Sequence, residues 1–363
     1  MTEETVIIGG GVIGLSIARE LHKRGHTGIT VVDKGACGEE SSWAAGGMLG
    51  PQAESDHGGY FYDLCSESRD LYPMLASELL SETGIDIELD RKGTLYVAFS
   101  GDEMARLSSR FELQRARGLA VDILDASEIR RREPFISPDV VGGLFFPHDW
   151  QVENRKLLLA LRKYAELNEI EIVENCDVQK LETNGSRIVE VIAGDRVFEP
   201  DNVVVAAGCW SGKLGMPLPE VVPVRGQMIC YRTAKRVYEH VIYSLRGYIV
   251  PRQDGRVLAG STSEFVGFSK GVTDDGISAL RAMAEEISPS LASQTPYDSW
   301  SGLRPKTADE MPVISRIEGL SNAFGATGHY RNGILLAPIT ANIIADRLAM
   351  DVTEMPNRSM ATG

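Results

Sequence analysis

The sequence predicts an α/β fold in which a parallel sheet with βαβ connections is interrupted by a second, mixed-sheet domain. Two observations predict it. Strand and helix signals of the βαβ type open the chain and return in its middle and at its end. Between them lie two β-rich stretches, near residues 85–145 and 222–300. A chain of 363 residues has room for about two domains.

The first 35 residues carry the clearest pattern. Thr5–Ile8 and Ile29–Asp33 are short apolar runs, typical of parallel strands that are buried on both faces. Between them, Ile13–Arg24 has apolar side chains at helical spacing and ends at Gly25. These elements form a βαβ unit.

The turn between the first strand and the helix has the pattern Gly9-x-Gly11-x-x-Gly14, and the acidic Asp33 follows about 20 residues later. In a dinucleotide site the first glycine permits the tight turn, the second admits the pyrophosphate, and the third lets the helix pack on the strand. The helix N-terminus stabilises the phosphate charge, and the acidic residue accepts ribose hydroxyls. This context predicts a Rossmann-type dinucleotide-binding domain; the alternative is an empty glycine-rich turn.

The remaining pattern predicts a discontinuous first domain at 1–85, 145–221 and 300–350, an inserted domain at 86–144 and 222–299, and a tail at 351–363. A surface turn region is predicted at Ser127–Pro138 and a Gly-rich turn at Gly325–Arg331. Helices are predicted at Asp63–Thr83, Gly101–Arg117, Val152–Asn168, Asp274–Ile287 and Ile334–Met350, and strands at Thr94–Phe99, Glu171–Val173, Asp177–Glu182, Ile188–Ala193, Arg196–Phe198, Asn202–Ala207, Gln227–Arg232, Tyr248–Pro251 and Val257–Ala259.

Composition excludes several classes of protein. A formal net charge of −14 disfavours nucleic acid and anionic membranes as partners. The five cysteines have no metal-binding or disulfide-framework spacing, which suits a reducing cytoplasm. His22 and His26 are separated by the predicted helix end at Gly25, so no metal site is expected. No uninterrupted apolar run reaches the length of about 18 residues that a membrane span needs.

Further motifs are compatible with a cofactor site but are weak alone. Ser41–Met48 is rich in small residues, and the buried run Val203–Ala207 ends at Gly208; a flexible loop and an ordinary strand are the alternatives. The stretch Gly325–Ile334 leads into the last helix, whose N-terminus could stabilise charge on a reduced flavin; the alternative is a simple N-cap region. Arg304, between Gly and Pro and outside regular structure, suits bidentate carboxylate binding, although a lone arginine is more often a surface charge.

Taken together and in this order, the motifs resemble the D-amino-acid oxidase family of FAD-dependent amine oxidases, over about residues 4 to 350. The resemblance rests on Gly9–Gly14 with Asp33, Ser42–Pro51, Gly247–Arg252, Gly302–Asp309 and Gly328–Pro338. It implies a Rossmann-type FAD-binding domain with an inserted mixed-sheet substrate domain. The implied activity is oxidative deamination of glycine, sarcosine and small D-amino acids by hydride transfer to flavin N5. The products would be the 2-oxo acid, ammonia and hydrogen peroxide, with molecular oxygen as acceptor.

The resemblance also implies roles for individual residues. Arg304 would bind the substrate carboxylate, Tyr248 would close the pocket, and Arg331 would assist at the carboxylate side. For glycine, the imine would serve thiamine thiazole synthesis, and family precedent favours a homo-oligomer. FAD would be held by Gly9, Gly11, Ile13, Gly14, Asp33, Lys34, Ser41, Ser42, Gly46, Gly47, Met48, Val178, Gly208, His329, Tyr330, Arg331, Asn332, Gly333, Ile334 and Leu335.

Two departures from the family pattern matter. Ser263 stands where glycine-oxidising relatives tend to have a methionine, so the space beside the α-carbon is either roomier or filled by Phe265 or Phe268. Gly302 stands near the place where sarcosine oxidases attach flavin through a cysteine, so FAD is expected to be non-covalent. The alternatives are a D-amino-acid dehydrogenase or a sarcosine-oxidase-like enzyme with another acceptor or substrate, and a non-catalytic dinucleotide-binding protein.

Overall fold

Two large sheets organise the chain, and the computed structural model describes residues 3–54 and 59–354. The strands, in chain order, are β1 Glu4–Ile8, β2 Gly28–Val32, β3 Met48–Leu49, β4 Thr94–Ala98, β5 Asp122–Asp125, β6 Gly142–Phe146, β7 Trp150–Gln151, β8 Glu171–Val173, β9 Val178–Asn184, β10 Arg187–Ala193, β11 Arg196–Phe198, β12 Asn202–Val205, β13 Val222–Arg232, β14 Val241–Ser244, β15 Gly247–Pro251, β16 Arg256–Gly260, β17 Asp298–Lys306, β18 Val313–Arg316 and β19 Ala323–Thr327.

Helices cover the sheets. The α-helices are α1 Val12–Lys23, α2 Ser41–Ala44, α3 Pro51–Glu54, α4 Tyr60–Thr83, α5 Gly101–Ala116, α6 Ala126–Arg132, α7 Asn154–Leu167, α8 Asp274–Ile287 and α9 Gly333–Glu354, and short 3₁₀ helices lie at Gly208–Leu214 and Pro289–Ser293.

The first sheet has six strands in the order β18-β19-β12-β1-β2-β8, parallel except for β18. Its central strand β1 is aligned with both neighbours, so that Ile7 lies opposite Val31 on one side and Val204 on the other. Helices α1, α4, α7 and α9 pack together in the core on one face. The predicted meander β9–β11 packs against the other face through Ile188 and Val191. This arrangement confirms the α/β class.

The second sheet has eight mixed strands in the order β17-β13-β16-β15-β14-β4-β6-β5. Its strands come from residues 94–146, 222–260 and 298–306. Strand β17 straddles the predicted domain boundary at residue 300 and pairs along its length with β13. The small strands β3 and β7 pair with each other near the first sheet's helices. The division into two domains stays a prediction, but the two sheets follow its segments closely.

Three local predictions differ from the structure. The predicted turn Ser127–Pro138 begins with helix α6, because a capping box between Asp125 and Glu128 starts the helix and its Ile129 is fully buried. The predicted turn at 325–331 begins inside strand β19, which pairs with β12 and β18. Arg304 lies within strand β17 and not outside regular structure, because its backbone pairs with Val224 of β13.

The last helix has an apolar segment, Gly333–Met350, that is long and apolar enough to cross a membrane by length and composition. Of that segment, 56% is buried inside the structure, and α9 packs against α1 and α4. A core helix that packs on several neighbours has the same composition. This segment is therefore explained by its place in the core.

Candidate active site

A cavity of about 630 Å³ is lined by residues of both sheets. This size suits a small-molecule or cofactor site. Of the predicted site residues, only Gly14 and Leu335 do not line this cavity. The predicted residues that do line it are Gly9, Gly11, Ile13, Asp33, Lys34, Ser41, Ser42, Gly46, Gly47, Met48, Val178, Gly208, Tyr248, Arg304, His329, Tyr330, Arg331, Asn332, Gly333 and Ile334.

The glycine turn forms one end of the cavity. Gly9 has a φ of +113°, and a Cβ there would lie 2.4 Å from the carbonyl oxygen of Ala206. A Cβ at Gly14 would lie 1.9 Å from the carbonyl oxygen of Gly9, so Gly14 allows α1 to pack on the turn. Gly14 does not line the cavity, and its role is this close packing. The turn therefore presents the N-terminus of α1 to the cavity, which favours a phosphate there.

Asp33 is held by backbone donors at the end of β2. Its carboxylate accepts hydrogen bonds from the N–H groups of Gly10 at 2.7 Å and Gly35 at 2.9 Å. Burial raises the pKa of Asp33, and these two hydrogen bonds oppose the rise. A carboxylate has about four lone-pair sites, so it can still accept hydroxyls from a ligand. Beside it, the Lys34 ammonium lies 3.2 Å from the ring centroid of Trp210 at the rim of the cavity.

Arg304 reaches into the cavity from β17. Its guanidinium donates to the Ser261 hydroxyl oxygen at 2.6 Å and to the Thr262 carbonyl at 3.1 Å. It lies directly over Gly226, where a Cβ would come within 2.1 Å of Nη2. These contacts fix a cation at the cavity wall, where a carboxylate can bind to it.

Tyr248 is buried in β15 at the same end of the cavity. Its hydroxyl lies 3.5 Å from the Met228 sulfur, and its ring lies 5.2 Å from that of Tyr243, centroid to centroid. Ser263 does not line the cavity and is exposed, whereas Ser261 does line it. Phe265 and Phe268 are also exposed, so neither fills a gap beside Tyr248.

Arg331 is engaged with a carboxylate. Its guanidinium donates to both oxygens of Glu54, at 2.8 and 3.0 Å, and the Tyr243 hydroxyl donates to the same carboxylate. Burial alone would raise the pKa of Glu54, but the Arg331 pair and this hydroxyl outweigh it and hold the pKa below its usual value. The predicted help from Arg331 in binding a substrate carboxylate is therefore limited, because its charge is already paired.

The segment before α9 lines the cavity from His329 to Ile334. The buried His329 ring contacts the Thr340 hydroxyl at 3.0 Å, and burial lowers its pKa to about 3, so it is neutral. Leu335 does not reach the cavity: it is 1% exposed in the core, and its carbonyl accepts from Ser68. The structure therefore does not support the predicted contact of Leu335 with a cofactor. Ile334 lines the cavity, whereas Leu335, one position further along α9, lies in the hydrophobic core.

Comparison with known proteins agrees with this geometry. Residues 4–347 match the DAO family model, described as FAD dependent oxidoreductase. The chain belongs to this family. It is 34% identical to a protein named glycine oxidase from Pseudomonas aeruginosa, covering 96% of this chain and 95% of the relative. A crystal structure of glycine oxidase from Bacillus cereus has a TM-score of 0.90 at 32% identity, covering 98% of this chain and 96% of that one.

Another relative of this oxidoreductase is named bifunctional protein ThiO/ThiG, from Trichormus variabilis. It is 38% identical over 95% of this chain, and the chain spans about half of the relative's length, 52%.

FAD is the cofactor of the family, and the cavity of this oxidoreductase fits it. Gly9 and Gly11 of the glycine turn line the cavity together with Val12 and Ile13 at the start of α1, where a helix N-terminus favours a pyrophosphate. Asp33 lies beside this turn, where an acidic residue accepts ribose hydroxyls. Gly46 and Gly47 form the wall next to Tyr248, where a flat ring can lie close to backbone.

Several residues of this site escape sequence reasoning. Glu54, Ser261, Met228 and Trp210 all line the cavity. The feature of the sequence that could have identified Glu54 is its position shortly after the Gly-rich stretch. It is presented by α3, whose first amides donate to the buried Asp149: Gln52 N–H at 3.1 Å and Ala53 N–H at 2.6 Å.

Proposed function

We propose that this FAD-dependent oxidoreductase oxidises glycine and other small amines, such as sarcosine and small D-amino acids. The products are the 2-oxo acid, ammonia and hydrogen peroxide, with molecular oxygen as the electron acceptor. The observation that carries the proposal is Arg304, a fixed cation in the same cavity as the glycine turn. The relatives named glycine oxidase support it, at 34% identity over nearly the full chain.

Substrate orientation follows from the fixed charges. Ser261 and Thr262 hold the guanidinium of Arg304, so a carboxylate that binds to it is placed without further ordering. Arg331 is neutralised by Glu54, which leaves Arg304 as the better anchor for a single carboxylate. A substrate with a single carboxylate is therefore expected to bind with that carboxylate at Arg304.

Apolar side chains line the cavity next to Gly46. Met48, Met228 and Tyr248 line it there, and a Cβ on Gly46 would make ordinary van der Waals contact with the Met48 methyl at 3.4 Å and with the Tyr248 ring at 3.6 Å. We propose that the α-carbon of the substrate lies beside these apolar groups, which suit a small, uncharged side chain. An apolar pocket discriminates a methylene by only ~1–3 kcal/mol, so activities on glycine, sarcosine and D-alanine should overlap.

No side-chain base is required for this chemistry. FAD, when bound, would accept the hydride of the α-carbon, which carries both electrons of the oxidation. The protein residues bind the carboxylate at Arg304 and exclude water with the buried Tyr248 ring. Positioning and electrostatics then carry the rate.

Anaerobic reduction tests the proposal. Purified yellow protein is mixed under argon with glycine, sarcosine, D-alanine, D-phenylalanine and L-alanine in turn, and the flavin absorbance is followed. We expect bleaching by the first three, and hydrogen peroxide when air is admitted. Faster bleaching by D-phenylalanine or L-alanine than by glycine would contradict the substrate class. Bleaching without peroxide would favour a dehydrogenase with another acceptor, and no bleaching would favour a non-catalytic binding protein.

We further propose that FAD is non-covalent. The support is Gly302, which offers no thiol and whose Cβ position is closed by the Ala44 methyl at 2.6 Å. The five cysteines are all buried and free. Acid precipitation should release the flavin into the supernatant; colour that stays in the pellet would contradict this.

The physiological role is proposed from one relative's name. The bifunctional protein ThiO/ThiG supports a supply of glycine imine for thiamine thiazole synthesis. The free buried thiols support a cytoplasmic location, and family precedent supports a homo-oligomer. Growth of a disruption strain without thiamine tests the role: restoration by this chain is expected, and growth unaffected by the disruption would contradict it.

A further inference from the structure

A buried arginine lies behind the wall of the cavity, outside the predicted site. Arg252 follows strand β15, four residues after Tyr248, and is 3% exposed. Its guanidinium donates four hydrogen bonds: Nη1 to the Gln151 side-chain oxygen and the Val152 carbonyl, both at 2.8 Å, and Nη2 to the Gly46 carbonyl at 2.8 Å and the Asn154 side-chain oxygen at 3.0 Å. Only a planar fork of this kind reaches all four acceptors at once.

Asn154 extends this contact to the neighbouring wall. While its oxygen accepts from Arg252, its amide nitrogen donates to the carbonyls of Ser42 and Trp43, at 2.9 and 3.0 Å. Asn154 is 1% exposed and begins α7. Arg252 and Asn154 thus fix the backbone of residues 42–46, which provides much of one side of the cavity.

The same guanidinium brings a charge close to the cavity. A Cβ at Gly47, which lines the cavity, would lie 2.9 Å from Nη2. Burial lowers the pKa of Arg252 to about 10, so the group stays protonated at neutral pH. Within residues 3–54 and 59–354, its Nε has no hydrogen-bond partner, and the Glu153 carboxylate lies 3.9 Å from it. A buried cation with mostly neutral partners is costly, which points to a use for its charge.

We infer that Arg252, acting through Asn154, is a positioning residue for the flavin: it sets the wall at residues 42–47 and keeps a cation behind it. A flavin gains negative charge on reduction, and a nearby cation in a medium of low dielectric constant stabilises that charge. The inference rests on the proposed flavin-dependent function. The test measures FAD binding and the midpoint potential of the bound flavin in the absence of substrate. A negative result therefore differs from a wrong assignment of the substrate.

The experiment compares four variants after removal and re-addition of FAD. Arg252→Met removes fork and charge, Arg252→Lys keeps the charge, and Asn154→Asp keeps the acceptor but loses both amide donors. Arg256→Met is the matched control, because Arg256 is on the same hairpin and contacts the same Glu153 oxygen at 3.5 Å but makes no bond to the wall. The measured quantities are the FAD dissociation constant, the midpoint potential of the bound flavin, and the melting temperature.

Arg252→Met should weaken FAD binding about tenfold or more, since hydrogen bonds to a charged group are lost, and lower the midpoint potential. Arg252→Lys should weaken binding less and keep the potential. Asn154→Asp should also weaken binding, and Arg256→Met should match the wild type in both quantities. A folded Arg252→Met with wild-type binding and potential would overturn the inference. If Arg252→Met does not fold, unchanged binding in both Arg252→Lys and Asn154→Asp would overturn it.

Discussion

The substitution Gly226→Ala tests whether Arg304 acts through its position. Gly226 lies in β13 opposite Gly302 of β17, and the Arg304 guanidinium lies across it. An added Cβ would come within 2.1 Å of Nη2, 2.4 Å of Cζ and 2.5 Å of Nη1. Since ordinary contacts begin near 3.4 Å, the guanidinium has to move by roughly 1 Å or more, which disturbs its hydrogen bonds to Ser261 and Thr262.

The expected loss is large for one methyl group. Misplacing a substrate-binding group by about 1 Å can cost about a hundredfold in rate. The hydrogen bonds of a charged group, at ~1.5–3 kcal/mol, give a similar range. We therefore expect kcat/KM for glycine to fall between about tenfold and a hundredfold, with FAD content unchanged. Steady-state peroxide assays and the ratio of flavin to protein absorbance measure both quantities.

A matched control and a double variant isolate the cause. Gly101→Ala adds a Cβ at the start of α5 and should leave kcat/KM unchanged. Apart from its chain neighbours and its own helix backbone, no atom of the described residues lies within 4 Å of that Cβ position. If Gly226→Ala acts only by moving Arg304, it should cost almost nothing more in an Arg304→Ala background. Full additivity of the two substitutions, or wild-type kcat/KM in Gly226→Ala, would refute the reasoning.

Three further outcomes are expected. Arg304→Ala should lower kcat/KM about tenfold to several-hundredfold with FAD content near wild type, and unchanged activity would mean that Arg304 does not bind substrate. Tyr248→Phe should raise KM modestly while preserving the melting temperature, because the ring stays and one hydroxyl is lost; loss of folding would make Tyr248 a core residue. Burial raises the pKa of Asp149 to about 7 from 3.8, so the folded state binds the extra proton and stability falls as pH rises from about 4 to about 7. Asp149→Asn should remove this fall in thermal melts across that range, and parallel curves for both proteins would contradict the assignment.

The sequence was most informative where local pattern and chain order coincide. The βαβ unit, the meander and most helices follow from periodicity, since each has its own apolar pattern and turn residues. Helix α6 was missed because Ile129 is its one buried apolar side chain among charged residues. Arg304 was placed outside regular structure because Gly302 lies two positions before it and Pro305 follows it, yet pairing with β13 holds it in a strand.

The sequence did not predict several contacts of the site, for one physical reason. Glu54 and Arg331 are 277 positions apart, and their pairing depends on how α3 and the start of α9 meet. Arg252 and Gly46 are 206 positions apart. Such contacts join charged and backbone groups from segments that are far apart in the sequence. The local periodicity of apolar residues therefore cannot predict them. Ser263 was expected beside the substrate α-carbon, but it is exposed, whereas Ser261, two residues earlier, lines the cavity.

The order of strands in the first sheet determines when the active site can form during synthesis. Strand β1 lies between β2 and β12, and β12 in turn pairs with β19 at residues 323–327. The glycine turn leaves the ribosome before Ala206 and the segment 329–334, which complete its cavity. Pairings of such long sequence separation form slowly, because loop closure has to precede them. Cofactor capture therefore has to wait until residues 329–334 are made. Until β12 is made, β1 has an unpaired edge that invites aggregation.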